Sequence, residues 1–260
     1  MHDTLWFLFH NDKLILCQAS EERLALPSVQ QAEMLKSLVV GTIHRFALLE
    51  GGEAYAAAVQ LDNTLPEGFV LMGLRDAYDY LPYLHYKYGG RAYELLYWDS
   101  HTRFCPVCGS PTQHLEAIMK KCPSCKHELY PPIATATIVL VRRGDEALLV
   151  RARNFRGSHY GLVAGFLEPG ETLEECVARE VMEETGLRIC NIRYFGNQPW
   201  PYPCGLMIGF TADYESGEIA IQAEELSTAA FFRRDNLPEL PRKLSIARQL
   251  IEAWKRGDIA

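Results

Sequence analysis

Between Gly165 and Leu187 the chain gathers carboxylates at spacings that suit one face of a helix. Glu180 and Glu184 stand four apart and Glu183 lies three beyond Glu180, so on a helix the three are neighbours. Like charges at that spacing oppose helix formation unless a cation sits among them. Arg179 is the only cation of the stretch, while Glu168, Glu171, Glu174 and Glu175 add further negative charge. A hard divalent ion, which takes oxygen ligands, is the partner such a set calls for. A bare acidic face is also what a solvated amphipathic helix shows. The flanks argue for more than that. Gly165, Pro169 and Gly170 mark a short loop ahead of the helix. Thr172 with Glu175 fits a capping box, and Gly186 fits a C-terminal stop. Leu173, Val177 and Val181 supply an apolar stripe opposite the acids.

A second chemistry lies in the cysteines. Cys105 and Cys108 form one C-x-x-C knuckle, Cys122 and Cys125 another, with thirteen residues between them. Paired knuckles fit a tetrahedral Cys₄ zinc site, which has no open coordination position and is therefore structural. Redox-active C-x-x-C comes as a single motif at the head of a helix. Cys17, Cys176, Cys190 and Cys204 are scattered and read as small hydrophobes.

The third stretch is Asn197-Gln198-Pro199-Trp200-Pro201-Tyr202-Pro203-Cys204-Gly205. Alternating prolines cannot continue a helix or a central strand, which predicts a stiff extended loop. Such a loop presents Trp200 and Tyr202 to a flat ring with little entropy left to lose. From Gly73 to Trp98 another aromatic run mixes Tyr78, Tyr80, Tyr83, Tyr86, Tyr88, Tyr93 and Tyr97 with Arg75, His85, Lys87 and Arg91. A base-stacking surface needs a basic groove, and Asp76, Asp79 and Glu94 dilute this one. A helix packing its rings into a core or a subunit interface is the preferred reading.

These groups need elements to hold them. Leu5–Phe9, Leu14–Cys17 and Ala54–Val59 read as strands, with turns at Asn11-Asp12 and Gly51-Gly52. Beyond Tyr130-Pro131-Pro132, residues 134–142 and 147–151 form a hairpin pair around Arg143–Glu146. The acidic helix follows, then strands over 192–195, 206–214, 218–221 and 231–233, and an apolar-periodic helix over 244–255. The expected fold is α+β: a zinc ribbon over 101–129 between a small N-terminal α/β domain, 1–100, and an α/β/α sandwich on a mixed sheet, 130–260.

Length and composition agree. At 260 residues, 48% hydrophobic and 23% charged, the chain has an ordinary globular composition with room for a large core. A net charge of −7 weighs against broad nucleic-acid or anionic-membrane binding. No signal peptide or membrane-spanning stretch is legible, so a cytoplasmic location and no membrane partner are expected.

The pattern G-x5-E-x7-R-E-V-x-E-E-x-G-L, from Gly165 to Leu187, resembles the Nudix box without a departure. The later loop resembles the S-Q-P-W-P-F-P-x-S signature of NADH pyrophosphatases within that superfamily, with Asn197, Tyr202 and Gly205 as departures. With the zinc ribbon and the domain before it, the similarity covers nearly the whole chain. It implies hydrolysis of the pyrophosphate bond of NADH or NAD⁺ to NMNH or NMN and AMP, and by the same chemistry removal of NAD caps from RNA 5′ ends. It implies Mg²⁺ or Mn²⁺ held by the Ala164 carbonyl, Glu180, Glu183, Glu184 and Glu225, with Glu184 positioning or deprotonating water and Glu180 and Glu183 beside it. Arg179 is expected to orient these acids. The resemblance places Arg75, Tyr130, Phe166, Ala247 and the run Gln198, Pro199, Trp200, Pro201, Tyr202, Pro203, Cys204 and Gly205 at the substrate, and implies a homodimer. Two alternatives stay open: a nucleic-acid-binding or regulatory zinc-ribbon module, and a Nudix hydrolase of another nucleoside diphosphate derivative such as ADP-ribose.

Overall fold

Phe7 and Phe9 turn to one face of the first strand and Leu8 to the other, and all three are buried. The computed structural model describes residues 4–20, 23–61, 65–153 and 157–259. Its first unit comprises Met1–Pro132 with Pro201–Cys204, and its second Ile133–Trp200 with Gly205–Ala260. The first unit is built on β1 (Thr4–His10), β2 (Lys13–Ser20), β3 (Arg23–Ala25), β4 (Val39–Ala47), β5 (Glu53–Val59) and β6 (Phe69–Gly73). The strand order is β3-β2-β1-β5-β4, with β6 also on β2; β1 and β5 are the parallel pair. Helix α1 (Val29–Met34) starts on a capping box from Ser28 and Gln31. Its Ala32 packs with Leu8, Ile15 and Ala57 on one face of the sheet.

After α2 (Leu74–Ala77), α3 (Tyr83–His101) covers the other face. Tyr93 lies 5.4 Å from Phe9, and Gly89 leaves room for Phe7 and Leu74. The aromatic run resolves mainly as packing. Tyr86, Tyr88 and Trp98 are buried along α3, whereas Tyr80 and Tyr83 stay exposed. The ribbon follows as a small sheet of β7 (Gln113–Glu116), β8 (Met119–Lys121) and β9 (Glu128–Leu129).

The second unit contains β10 (Ala134–Arg143), β11 (Glu146–Ala152), β12 (Val163–Phe166), α4 (Leu173–Thr185), β13 (Arg188–Trp200), β14 (Gly205–Ser216), β15 (Leu226–Arg233) and α5 (Ile246–Arg256). Its sheet runs β13-β14-β10-β11-β15, with β12 also on β10; among the described residues only β10 and β14 are parallel, so the sheet is mixed. Val139, Val141, Leu148 and Val150 meet Val177 and Val181 of α4. Ile138, Leu140, Ala147 and Leu149 meet Leu250, Ile251 and Trp254 of α5. Burial on both faces is why β10 reads as a continuous apolar run. The expected α/β/α sandwich is present. Among the described residues, no helix is long and apolar enough to cross a membrane.

Two local expectations need correction. Residues 218–221 form no strand. The Ala220 and Gln222 amides donate to the Thr185 and Glu184 carbonyls, at 2.9 and 3.0 Å. They satisfy acceptors that the end of a helix leaves orphaned, in place of a sheet neighbour. The predicted loop 197–205 is instead a hairpin: Asn197–Trp200 complete β13, Gly205 opens β14, and Trp200 pairs with Gly205. Proline is tolerated because β13 is an edge strand. The turn contains a cis Tyr202–Pro203 peptide.

Candidate active site

Helix α4 is fixed at both ends before its acids are considered. The Thr172 hydroxyl accepts from the Glu175 amide at 3.2 Å, the Glu175 carboxylate accepts from the Thr172 amide at 2.7 Å, and Gly186 ends the helix with φ 72°. The apolar stripe lies on the sheet, and the carboxylates divide by depth. Glu184 is 4% exposed, whereas the Glu183 side chain is 54% exposed. Among the described residues no hydrogen bond or ion pair reaches the Glu184 carboxylate. Burial, reinforced by repulsion from Glu180 and Glu225, pushes its pKa up to about 8. Glu180 is raised for the same first reason, with Arg179 opposing. Glu225 is brought near by the segment tethered to the end of α4, where the Glu225 amide donates to the Gln222 carbonyl at 3.1 Å.

Arg179 organises this face. Its Nε and Nη2 donate to the two Glu171 oxygens at 2.5 and 2.9 Å, and Nη1 donates to Glu180 at 2.8 Å and Glu183 at 3.0 Å. Nη2 also donates to the Phe166 carbonyl at 3.0 Å, tying the loop to the helix. The bidentate pair pulls the Glu171 pKa down to about 2. Arg179 thereby serves Glu171 and the loop as well as the acids it was expected to orient. Glu180 is pressed against Gly165, where a Cβ would overlap its carboxylate. Ala164, one residue earlier, is exposed in β12 opposite Ile138. An all-oxygen set with one deeply buried, unpaired carboxylate fits a hard divalent cation. Among the described residues, no three of these acids bring their ligand atoms within 4.8 Å of one another.

The other expected site residues fall into distinct settings. Tyr130 and Phe166 are 56% and 66% exposed, and the Tyr130 hydroxyl donates to Glu128 at 3.3 Å. Ala247 is buried in the first turn of α5. Gln198 is buried, and both ends of its amide are engaged by Leu244 and Ile246. Pro199 and Pro203 are exposed, while Trp200, Cys204 and Gly205 are half-buried. A Cβ on Gly205 would lie 2.9 Å from the Trp200 carbonyl oxygen, so this hairpin closes more tightly than a serine permits. In the first unit, Pro201 is buried beside Gly90, whose own Cβ would sit 2.9 Å from the proline ring. The Tyr202 hydroxyl pairs with that of Tyr86 at 2.7 Å, and the Arg75 guanidinium covers the Tyr202 ring at 4.5 Å. Arg75 and Tyr202 are thus brought together, each serving the other.

The four knuckle cysteines converge. Sγ of Cys105 is 3.5 Å from that of Cys125, and Sγ of Cys108 is 3.4 Å from that of Cys122. These are far beyond disulfide length and close to the edges of a Zn–S₄ tetrahedron, roughly 3.8 Å for 2.3 Å bonds. Each knuckle ends on a positive φ, 72° at Gly109 and 67° at Lys126. The Ser110 backbone amide helps pull the Cys108 thiol down to about 6, favouring the thiolate a metal needs.

One polar cluster escaped the sequence reading. Asp99 Oδ1 accepts from the Lys120 ammonium at 2.5 Å and from His114 Nε2 at 2.8 Å; His44 Nε2 is 3.3 Å from Oδ2. Lys120 is 3% exposed and also donates to the Asp99 and Thr102 carbonyls. The four residues come from β4, α3, β7 and β8, and no local pattern links them in sequence. Although the ligand atoms of His44, Asp99 and His114 lie within 4.8 Å of one another, the ammonium already occupies the cationic place.

Comparison with known proteins bears on the whole chain. Residues 131–254 match the NUDIX domain, 3–98 the NADH pyrophosphatase-like rudimentary NUDIX domain and 100–130 the NADH pyrophosphatase zinc ribbon domain. A protein of Pseudomonas syringae pv. syringae, named NAD-capped RNA hydrolase NudC, is 42% identical over 84% of this chain and 79% of its own length. One of the same name from Pasteurella multocida is 47% identical over 66% of this chain and 67% of its own. In fold, the chain resembles a NUDIX hydrolase from Nitrosomonas europaea at 21% identity and a TM-score of 0.51, covering 60% of this chain and 92% of that one. Box, ribbon and rudimentary first domain occur together in one chain, at identities that extend across it, and the protein therefore belongs to the NADH pyrophosphatase-like, NudC-type family of NUDIX hydrolases.

Proposed function

We propose that this protein hydrolyses the pyrophosphate bond of NADH and NAD⁺, giving NMNH or NMN and AMP, and that it removes NAD caps from RNA 5′ ends by the same step. The observation that carries this reading is Glu184: a buried carboxylate without a partner among the described residues, beside Glu180, on a helix locked by Arg179 to the glycine loop. A divalent cation, Mg²⁺ or Mn²⁺, held by the Ala164 carbonyl, Glu180, Glu183, Glu184 and Glu225, would neutralise the phosphates and acidify water. In this reading Glu184 orients the attacking water and receives its proton. Water adds its oxygen to one phosphorus, the bridging P–O bond breaks, and the departing phosphate keeps the bridging oxygen. Arg179 holds Glu180 and Glu183 in register with the loop and needs no contact with substrate.

Trp200, Phe166 and Tyr130 are each assigned to a flat ring of the dinucleotide, and Ala247 to the lining of its pocket. Zinc at Cys105, Cys108, Cys122 and Cys125 holds the ribbon and takes no part in the chemistry. A homodimer and a cytoplasmic location complete the reading. Product analysis over NADH, NAD⁺, ADP-ribose and NAD-capped RNA, with Mg²⁺ and Mn²⁺ in turn, tests it. AMP and NMNH from NADH, and NMN from the capped RNA, are expected. Preference for ADP-ribose with neither dinucleotide cleaved would overturn it.

A further inference from the structure

Gln198 lies in the middle of the motif expected to touch substrate, yet its side chain is spent elsewhere. Its Oε1 accepts from the Ile246 amide at 2.7 Å, and its Nε2 donates to the Leu244 carbonyl at 2.8 Å. The residue is 7% exposed. Ile246 is the first residue of α5, where helix geometry leaves the backbone N–H without an intrahelical acceptor. The Ser245 hydroxyl, which caps the helix, serves the Arg248 amide instead. Gln198 therefore supplies the acceptor that the cap does not, and binds the residue before the cap with its other end. Only an amide of this length does both: glutamate has no donor, methionine has neither group, and asparagine is a methylene short.

The strand fixes what this clasp controls. From Asn197 to Trp200 the pairing with β14 runs without a bulge: Asn197 with Ile208, Gln198 with Met207, Pro199 with Leu206, Trp200 with Gly205. Cross-strand partners share a face, and side chains alternate between faces. Met207 packs in the cluster around α5, whereas Ile208 packs in the cluster around α4. Gln198 and Trp200 therefore project to the α5 side, with Asn197 and Pro199 on the other. The clasp links the strand two residues before Trp200 to the helix one residue before Ala247. We infer that Gln198 is a positioning residue: it sets the ring of Trp200 against the first turn of α5, and so shapes the ring-binding part of the pocket without touching substrate. This rests on the proposed dinucleotide reading only for the identity of the ligand.

The test compares Gln198→Met, which loses both bonds, with Gln198→Glu, which keeps the acceptor for Ile246. In Gln198→Met, KM for NADH should rise about tenfold while kcat stays within about threefold, since the acids of α4 are untouched. Gln198→Glu should fall between that variant and the unaltered protein. Hydrogen exchange at the Ile246 amide and along the Trp200–Gly205 pair should quicken in Gln198→Met with no substrate present. A loss confined to kcat, in proportion to unfolded protein, would reduce the residue to a fold-stabilising one and overturn the inference. Unchanged exchange would overturn it whatever the substrate. Should the unaltered protein leave NADH intact, the dinucleotide reading fails separately; the exchange result, and the same KM–kcat split on the derivative it does cleave, still decide the role of Gln198.

Discussion

The Glu180 carboxylate fills the space that a side chain at position 165 would need, so Gly165 and Glu180 form one steric unit across the loop and helix. The glycine is not required by an unusual φ; it is required by contact. Gly165→Ala should displace Glu180 and with it the Arg179 fork. A misplacement near 1 Å costs a reacting centre on the order of 10²-fold in rate. Steady-state kinetics should show that loss in kcat/KM, with the melting temperature nearly unchanged. Activity within twofold of the unaltered protein would disprove the coupling.

Glu184 gives the protein a pH signature that can be read in chelator. Burial, then repulsion from Glu180 and Glu225, raises its pKa from 4.5 to about 8. Between those values the folded chain holds a proton that the unfolded chain has released. Stability from this group is therefore complete below the unfolded pKa and is lost as pH rises towards 8. Glu184→Gln should flatten that decline in melting temperature and should lower turnover by about 10²–10⁴-fold. Because a cation competes with the proton, Mg²⁺ should stabilise the unaltered protein more at pH 8 than at pH 6. A melting temperature with the same pH slope in both proteins would show that Glu184 does not carry it.

Asp99 predicts the opposite sign. Burial opposes its ionisation, but hydrogen bonds from His44, Lys120 and His114 outweigh that and hold it well below the ordinary carboxylate range. Its contribution is present above the unfolded pKa of 3.8 and is lost as pH falls further below it. Asp99→Asn leaves the buried Lys120 ammonium uncompensated, a loss of about 3–5 kcal/mol for such a broken pair. Urea denaturation at pH 7 should register that loss. Adding Lys120→Met should recover part of it, and an additive double variant would refute the pairing.

These cases show which parts of the molecule a sequence displays. The box, its caps and the knuckles were legible because each is local: the residues that hold one another are within a few turns or one loop. The sandwich was legible from apolar runs such as Ile138–Val141, whose continuity reports burial on two faces. The Asp99 cluster was not, since His44, Asp99, His114 and Lys120 have no shared period and meet only through tertiary packing. The strand expected over 218–221 did not form because the Ala220 amide, with that of Gln222 just beyond, is spent on the end of α4. Gln198 was placed at the substrate together with its motif, whereas the pairing with Met207, which decides the face it takes, is a tertiary relation that composition does not display.

Tyr202 stands where the family signature carries phenylalanine, and its added hydroxyl has a partner. It meets the Tyr86 hydroxyl at 2.7 Å, on a ring covered by Arg75. Burial, with Tyr202 alongside, pushes the Tyr86 phenol well above its ordinary range, so both hydroxyls stay neutral at any working pH. Tyr202→Phe leaves the Tyr86 hydroxyl short of a partner in a buried place, which should cost about 1–3 kcal/mol. Tyr86→Phe should cost a similar amount. If the pair is one unit, the double variant should lose less than the sum of the two, because removing both polar groups leaves nothing unsatisfied. The cycle is measured by denaturant unfolding. KM for NADH, followed in parallel, separates the hydroxyl's packing role from any part it has in the pocket. A strictly additive cycle would mean that the two hydroxyls do not depend on each other, and that tyrosine at this position is merely tolerated.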